Sequence, residues 1–360
     1  MSPCRLFVTA FCLYSSHASA ALSPKRLPTQ PALTGSLFVC KKPEAMPFTP
    51  RLEPRWTPAD PTHTIMDAER LRSQAPARAA IDKPLYYIRA LADRARAEEN
   101  RWKIRAIQEC LLGHLDALAR ARSLEGSVSA TDFFYTNWVI GQISVALLKT
   151  ELPPPYQNDP KLRNVKSWIR RLCEQSKRFL ARRLAQGRLQ NHLAWGAFAL
   201  GSAGVVLSDE SYVSTARLFT QKLLGAVDAN GLVQAETRRG AKALHYHIFL
   251  AEAVAGTLLI TDSTVTRGEQ ASFNRLAAAI SDGLSNRKTS RIRRLAGVPQ
   301  SLSQNLGGLH IIGQAIRCNV RLKRSLARLA RDYDKKLLFL GGDLEFLLNR
   351  TTTGPCQFRY

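Results

Sequence analysis

The alternation of apolar and polar positions divides most of the chain into helices of two kinds. Residues 191–207 and 241–260 are apolar on nearly every side, as expected for helices that are buried all round. Residues 210–227 and 268–284 carry their apolar side chains on one face, which is typical of helices partly exposed to solvent. From Asp67 onward the pattern is almost entirely helical, without a series of strands. The sequence therefore predicts an all-α fold.

The order of these helices predicts their arrangement. Buried and solvated helices alternate, and turn signals such as Asn230-Gly231 and Gly341-Gly342 separate them. Consecutive helices joined by short turns pack antiparallel. We expect an incomplete α/α toroid, a barrel of antiparallel helical hairpins with an inner and an outer layer. An ordinary helical bundle or an α-solenoid is the alternative, and the absence of a fixed sequence repeat argues against a regular solenoid.

The N-terminal region has a different composition. Arg5 precedes an apolar run, and Ala18-Ser19-Ala20 places small residues where signal peptidase would cut, so residues 1–20 are predicted to be a secretory signal. The alternative is an apolar, disordered N-terminus. Residues 21–65 are rich in Pro, Thr and Ser and are interpreted as an extended arm, and residues 66–350 as one helical domain. We expect a periplasmic protein.

The charge of the chain narrows its partners. Lys and Arg number 52 against 28 Asp and Glu, a net charge of +24. Such an excess favours nucleic acid, an acidic polysaccharide or an anionic membrane surface, and charge alone does not choose among them. A secreted protein would rarely meet nucleic acid, so secretion disfavours a nucleic-acid partner. No later segment is predicted to insert into a membrane, because the apolar helix at 241–260 carries His245 and Glu252. We expect a monomer.

The cysteines and histidines give no metal pattern. Five cysteines follow the predicted signal, and none shows a zinc-ligand spacing. One or two disulfides are expected in an oxidising compartment, with a pairing that the sequence does not reveal. His245 and His247 lie two residues apart, so on a helix they point in nearly opposite directions. We expect neither a metal nor another cofactor. The five cysteines are Cys40, Cys110, Cys173, Cys318 and Cys356.

Polar residues interrupt the two buried helices. Asn191 and His192 open the first, and Arg239 and Tyr246 stand near the start of the second. If Arg239 and Tyr246 are both helical, they share a face two turns apart. Singly, the four residues have ordinary interpretations: a helix cap, a core histidine, a helix-terminal charge and a core aromatic. Together they predict a cleft that combines an amide, an imidazole, a guanidinium and a phenol.

These four groups suit β-elimination from a uronic acid polymer. Removal of the C5 proton leaves an enolate-like anion, so the carboxylate must be neutralised, which Arg239 and Asn191 can do. Tyr246 can act as an acid toward the leaving O4, as a base if ionised, or as both. His192 can be the base or can hold the intermediate. Because a free phenol titrates near ~10, a basic tyrosine needs cationic neighbours such as Arg239.

The stretch around 190–250 resembles the mannuronate-specific alginate lyases of bacterial periplasms, polysaccharide lyase family five. The resemblance implies an α/α toroid in which the Asn and Arg neutralise the carboxylate while the His and Tyr handle protons. It implies no cofactor and an anionic polysaccharide, alginate, as partner. The matching segments are Asn191-His192 with Trp195, Asn230-Gly231-Leu232, Glu236-Thr237-Arg238-Arg239 and Ala243-Leu244-His245-Tyr246-His247.

Two weaker matches flank this stretch. Thr34-Gly35-Ser36-Leu37 is similar to a segment that precedes a lid lysine in the family, which makes Lys42 the counterpart, and Leu340-Gly341-Gly342-Asp343 is similar to the family's ending. Ile248 stands where the family commonly has Asn, and a basic run at 287–294 replaces an expected acidic, aromatic-rich stretch. Substrate preference is therefore open.

The sequence thus predicts a lyase that cleaves polymannuronate to 4,5-unsaturated uronate ends. The catalytic candidates are Asn191, His192, Arg239 and Tyr246, and the substrate-binding candidates are Lys42, Trp195, Arg238 and Lys242. A lyase acting on another polyuronate such as glucuronan, or a non-catalytic polyanion-binding protein, is the alternative.

Overall fold

A computed structural model describes residues 38–262, 265–302 and 305–350 of the chain. The predicted signal at 1–20, the first part of the arm and Cys356 lie outside the described residues. The α-helices are α1 (Ala68–Ala97), α2 (Arg101–Arg120), α3 (Ala130–Thr150), α4 (Pro160–Ala185), α5 (Asn191–Leu207), α6 (Glu210–Gly225), α7 (Gln234–Thr237), α8 (Ala243–Ile260), α9 (Arg267–Ser285), α10 (Arg291–Ala296), α11 (Gly308–Ala315), α12 (Val320–Ala330) and α13 (Glu345–Leu348).

The helices pack in two layers, which confirms the predicted all-α toroid. The neighbouring helices α1, α3, α5, α8 and α11 form an inner row, and α2, α4, α6, α9 and α12 lie outside it. In α3, α5 and α8 nearly every residue is buried, as the unbroken apolar pattern of α5 and α8 requires. The toroid is incomplete, and consecutive inner and outer helices form its hairpins.

Short and irregular elements complete the described chain. Residues Pro154–Asn158, Gly240–Lys242 and Leu338–Leu340 form 3₁₀ turns. β1 (Lys336–Leu337) and β2 (Gly342–Asp343) pair antiparallel in a two-stranded ribbon that the sequence did not predict. Each strand has two residues, too few to show an alternating pattern.

Glycines let the inner helices approach one another around Phe198 of α5. A Cβ added to Gly141 of α3 would lie 2.9 Å from the Phe198 ring, and one added to Gly256 of α8 would lie 3.0 Å from it. These contacts fix α3, α5 and α8 side by side. The segment Gly240–Ile260 is long and apolar enough to cross a membrane, and 89% of its most apolar window is buried inside the protein, as expected of a core helix.

The described part of the arm is packed on the helical domain. Met46 and Leu52 are buried, and Leu52 N–H donates to the Asp132 carboxylate over 2.8 Å. A disulfide joins Cys40 to Cys110 of α2. The arm has no helix between 38 and 66, and these contacts hold it against the helical domain.

Glu252, in the middle of α8, gives the fold a predicted pH dependence. Its side chain is buried, its Oε1 has no hydrogen-bond partner among the described residues, and burial raises its pKa from 4.5 to about 8. The folded protein therefore keeps a proton that the unfolded chain releases between these values. The free energy of unfolding then falls as the pH rises through this window, by up to about 1.4 kcal/mol per pH unit.

Glu252→Gln removes this titration. We expect the variant to gain stability relative to the parent chain as the pH is raised from about 5 to about 8, measured by urea unfolding. Glu99→Gln, at an exposed position, is the control and should show no such trend. A stability difference that stays constant with pH would contradict a protonated Glu252.

Candidate active site

A cavity of about 320 Å³ opens where α3, α5 and α8 meet the arm. Asn191, His192, Arg239 and Tyr246 all line it, so the structure brings the four predicted catalytic residues together. One acidic residue, Glu53, and five arginines line the same cavity, and the wall is therefore strongly basic. The arginines are Arg55, Arg78, Arg183, Arg188 and Arg239.

Asn191 is held by a buried carboxylate from α7. Glu236 is fully buried, and its Oε1 accepts hydrogen bonds from the Asn191 backbone N–H at 2.6 Å and from Asn191 Nδ2 at 2.8 Å. Asn191 is the first residue of α5, so Glu236 caps this helix from another element, where a negative charge is favourable. Asn191 Oδ1 has no hydrogen-bond partner among the described residues. The Asn191 amide is therefore held through its nitrogen and not through its oxygen.

The same carboxylate holds Arg239. Arg239 Nε lies 3.6 Å from Glu236 Oε2, and both side chains are almost fully buried. The guanidinium carbon lies 4.7 Å from the centre of the Tyr246 ring, within the range of a cation–π contact. Arg239 precedes the 3₁₀ turn Gly240–Lys242 and is not part of α8. The sequence placed Arg239 and Tyr246 on one helix face only if both are helical; Arg239 is not helical, and the two side chains meet through the cation–π contact.

His192 is fixed by an aromatic stack. Its ring lies parallel to that of Phe134 on α3, with 3.5 Å between the centroids and 2° between the planes. Its Nδ1 has no hydrogen-bond partner among the described residues. Burial, and then the positive charge of Arg239, hold the pKa of His192 well below its usual 6.5. The imidazole is therefore neutral near pH 7 and is able to accept a proton.

Tyr246 is a neutral phenol in this site. Burial raises its pKa above the usual 10, and the nearby Arg239 offsets this only in part. Of the roles that the sequence left open for Tyr246, the raised pKa favours that of an acid. Burial likewise raises the pKa of Glu236, an effect that Arg239 and the Asn191 hydrogen bonds oppose. The cavity thus combines a phenolic donor, a neutral imidazole and a guanidinium.

The predicted substrate-binding residues are spread more widely. Trp195 is buried and packs against Phe249, so it supports the cavity floor without lining it. Arg238 is exposed and Lys242 is half-buried, with its Nζ 5.2 Å from the Trp56 ring. Neither lines the cavity.

Lys42 lies in a different place from the catalytic candidates. It lines a separate cavity of about 480 Å³ together with Lys41 and His114. The structure therefore does not bring Lys42 to the other site residues, and its lid role stays a prediction.

The arm contributes residues that the sequence pattern did not predict. Arg55, Trp56 and His63 line the cavity, with the Arg55 guanidinium carbon 5.1 Å from the Trp56 ring centre. Asp60 holds the loop that carries His63, since its carboxylate accepts from the backbone N–H groups of Thr62, Thr64 and Ile65. Irregular segments lack a periodic signal. The sequence Pro-Arg-Trp at 54–56 nevertheless combines a charge with an aromatic ring, a pattern that could have indicated a binding segment.

α8 also carries His245 and His247, which are not among the catalytic candidates. His247 accepts a hydrogen bond from Val233 N–H at 3.0 Å through Nε2, and its Nδ1 lies 2.7 Å from Ala243 O.

Among the described residues, the potential metal-ligand group is Cys40, Cys110 and His114, and its two sulfurs are joined in the disulfide. This group lies outside the cavity that holds the four catalytic candidates.

Comparison with known proteins gives one consistent family. The profile of the alginate lyase family matches residues 124–289. An alginate lyase of Azotobacter vinelandii is 28% identical over 147 residues, which cover 39% of this chain and 38% of that protein. A polysaccharide lyase of Stenotrophomonas maltophilia is 24% identical over 250 residues, 68% of this chain and 70% of that protein. The chain thus matches little more than a third of the length of the Azotobacter relative.

Solved structures share the fold. Alginate lyase A1-III of Sphingomonas species A1 aligns with a TM-score of 0.60 at 15% identity, over 87% of this chain and 85% of that chain. A structure of alginate lyase A1-III with a tetrasaccharide aligns with a TM-score of 0.62 at 14% identity, over 88% and 86% of the two chains. At this identity the likeness establishes the α/α toroid.

The buried carboxylate predicts a large loss of stability on its removal. Glu236→Ala would leave Arg239 without its partner in a buried position and would uncap α5. Breaking a buried ion pair from one side costs roughly 3–5 kcal/mol. We expect a loss of this size in the free energy of unfolding, measured by urea denaturation.

Glu210→Ala is the matched control. Glu210 is exposed and pairs with Arg217 at 3.3 Å on the surface of α6, where ion pairs contribute about 0–1 kcal/mol. Equal losses in the two variants would contradict a special role for the Glu236 carboxylate.

Proposed function

We propose that this chain, whose residues 124–289 match the profile of the alginate lyase family, is a polysaccharide lyase that cleaves alginate by β-elimination. The observation that carries the proposal is the meeting of Asn191, His192, Arg239 and Tyr246 in one basic cavity. These groups supply the three requirements of the reaction: neutralisation of the uronate carboxylate, a base for the C5 proton and an acid for the leaving O4.

The carboxylate subsite is formed by Arg239 and Asn191. Glu236 holds one side of each residue, at Arg239 Nε and Asn191 Nδ2, so their positions are set before substrate arrives. Donors that are already in place where negative charge develops contribute roughly 3–4 kcal/mol each to transition-state stabilisation. Their hydrogen bonds to the carboxylate stabilise the enolate-like anion once the C5 proton leaves.

The protons are handled by His192 and Tyr246. The pKa of His192 is depressed by burial and by Arg239, so the neutral imidazole is the base available in the resting site. The pKa of Tyr246 is raised by burial, so its phenol carries the proton that O4 needs as it departs. The C4–O4 bond breaks as the C4–C5 double bond forms, and the product carries a 4,5-unsaturated uronate at its new non-reducing end.

Polymannuronate is the preferred substrate in this proposal. In mannuronate, as in glucuronate but not in guluronate, H5 and O4 lie on the same face of the sugar, so one side of the cavity can serve both proton transfers. The resemblance of residues 190–250 to mannuronate-specific lyases supports the same choice. Glucuronan and polyguluronate, tested beside it, decide the preference.

The enzyme is proposed to act outside the cytosol, in the periplasm. The disulfide between Cys40 and Cys110 supports an oxidising compartment, since such bonds are rare in the cytosol. Fractionation of cells that express the full chain tests this, and recovery of the protein in the cytosol with both thiols reduced would contradict it.

Tyr246→Phe tests the acid. The substitution keeps the ring beneath Arg239 and removes the proton donor, so we expect kcat on polymannuronate to fall by about 10²–10⁴. Tyr87→Phe, whose hydroxyl lies outside the cavity, should keep the parent rate. A near-parent rate for Tyr246→Phe would overturn the role of this residue.

His192→Ala tests the base separately. We expect a loss of kcat of similar size, about 10²–10⁴, because the variant lacks the neutral imidazole that takes the C5 proton. If the variant retained most of its rate while Tyr246→Phe did not, Tyr246 would have to carry both protons.

The pH profile tests both protonation states together. Neutral His192 is lost only as the pH falls well below 6.5, and the Tyr246 proton only as the pH rises above 10. We therefore expect kcat/KM on polymannuronate to be level between these two values. A limb that falls through pH 7 to 9 would contradict the assignment.

A further inference from the structure

The C-terminal third of the chain contains a second basic region. Residues 283–331 include eleven Lys or Arg and no Asp or Glu. The proposed reaction uses none of these residues, since none lines the cavity with Tyr246. Any carboxylate that neutralises these positive charges must therefore come from another part of the chain or from a ligand.

Four arginines of this region form a row along α12 and just beyond its end. They recur three or four residues apart, so at about 100° per residue they fall within an arc of roughly 80° on one side of the helix. All four are exposed, and they border a surface depression of about 970 Å³. The α12 arginine row consists of Arg321, Arg324, Arg328 and Arg331.

The α12 arginine row has no ion-pair partner in the described part of the chain. None of the four guanidinium groups has an ion pair with any residue that the structure describes. At a rise of 1.5 Å per residue the row is about 15 Å long, which suits an extended ligand better than a single small anion. Arginine side chains bind carboxylates bidentately.

The buried opposite face of α12 prevents this helix from inserting into a membrane. Leu322, Leu326 and Ala330 are buried in the core, where α12 packs against α11 and α9. A helix that binds in a membrane interface inserts its apolar face between the lipids, and this face is already occupied. α12 therefore cannot insert into a bilayer, and a membrane would meet only the charges of its exposed arginines.

We propose that the α12 arginine row is a second, non-catalytic binding surface for anionic polysaccharide. The proposal rests on the proposed function, since it takes its ligand class from the same substrate. A long polymer bound at the row raises the effective concentration of its remaining segments at the cavity. An oligosaccharide that fills the cavity alone gains nothing from the row.

The test removes three charges from the row in the full chain. Arg321→Gln, Arg324→Gln and Arg328→Gln are combined, and the control combines Arg72→Gln, Arg101→Gln and Lys222→Gln, three exposed charges on other helices. The Kd for long polymannuronate and for its tetrasaccharide is measured for both variants in a Tyr246→Phe background, which slows cleavage during binding. KM and kcat are measured with Tyr246 intact.

We expect the row variant to raise the Kd and KM for the polymer about tenfold, with a weaker salt dependence and no change for the tetrasaccharide. The control should leave both ligands unchanged, and kcat should be the same in all three proteins. Equal weakening by the row and the control variants, or no weakening by either, would overturn the proposal.

Two further measurements test the ligand of the row and its dependence on the proposed function. The first is binding to vesicles that contain phosphatidylglycerol and to duplex DNA. If the chain bound either of these in preference to polymannuronate, and the row variant lost that binding, the polysaccharide assignment would be overturned. Failure of the proposed function has a different signature, because no unsaturated product would form on any polyuronate while the Kd difference between row and control variants persisted.

Discussion

The site depends on one buried carboxylate. Glu236 stands on a four-residue helix, yet its two oxygens hold the first residue of α5 and the guanidinium that precedes α8. A charge at this depth is stable only with such partners, and Asn191 and Arg239 are positioned only through it. The carboxylate therefore links the start of two inner helices and sets the distance between two of the groups proposed to bind substrate.

The toroid provides the buried environment that gives this interaction its effect. Because α3, α5 and α8 are buried along most of their length, the polar residues near the starts of α5 and α8 meet in one cavity. Burial shifts the pKa of His192 down and that of Tyr246 up, so both are neutral at pH 7. The same low-dielectric surroundings strengthen the interaction of Arg239 with a substrate carboxylate. Fold and chemistry are thus coupled through burial.

Much of this arrangement could be predicted from sequence, for reasons that differ among the elements. The helix predicted at 191–207 is observed at Asn191–Leu207, because a continuous apolar run has one stable solution in a helical protein. The helix predicted at 241–260 is observed at Ala243–Ile260, with a 3₁₀ turn at Gly240–Lys242 before it, since 3₁₀ turns leave no periodic signal. The roles of Arg55, Trp56 and His63 arise from the folding of the arm over the cavity, a long-range contact without a local pattern. Lys42 is the opposite case: a local sequence match made it a substrate-binding candidate, but the tertiary structure places it in another cavity.

The ultraviolet absorbance of the purified chain mixed with polymannuronate would show directly whether the cavity cleaves a uronate polymer. We expect a steady rise from the conjugated 4,5-unsaturated uronate, abolished by Arg239→Ala and present without added metal. A flat trace with the parent chain on polymannuronate, polyguluronate and glucuronan would contradict it and would leave a cavity that binds polyanions without cleaving them.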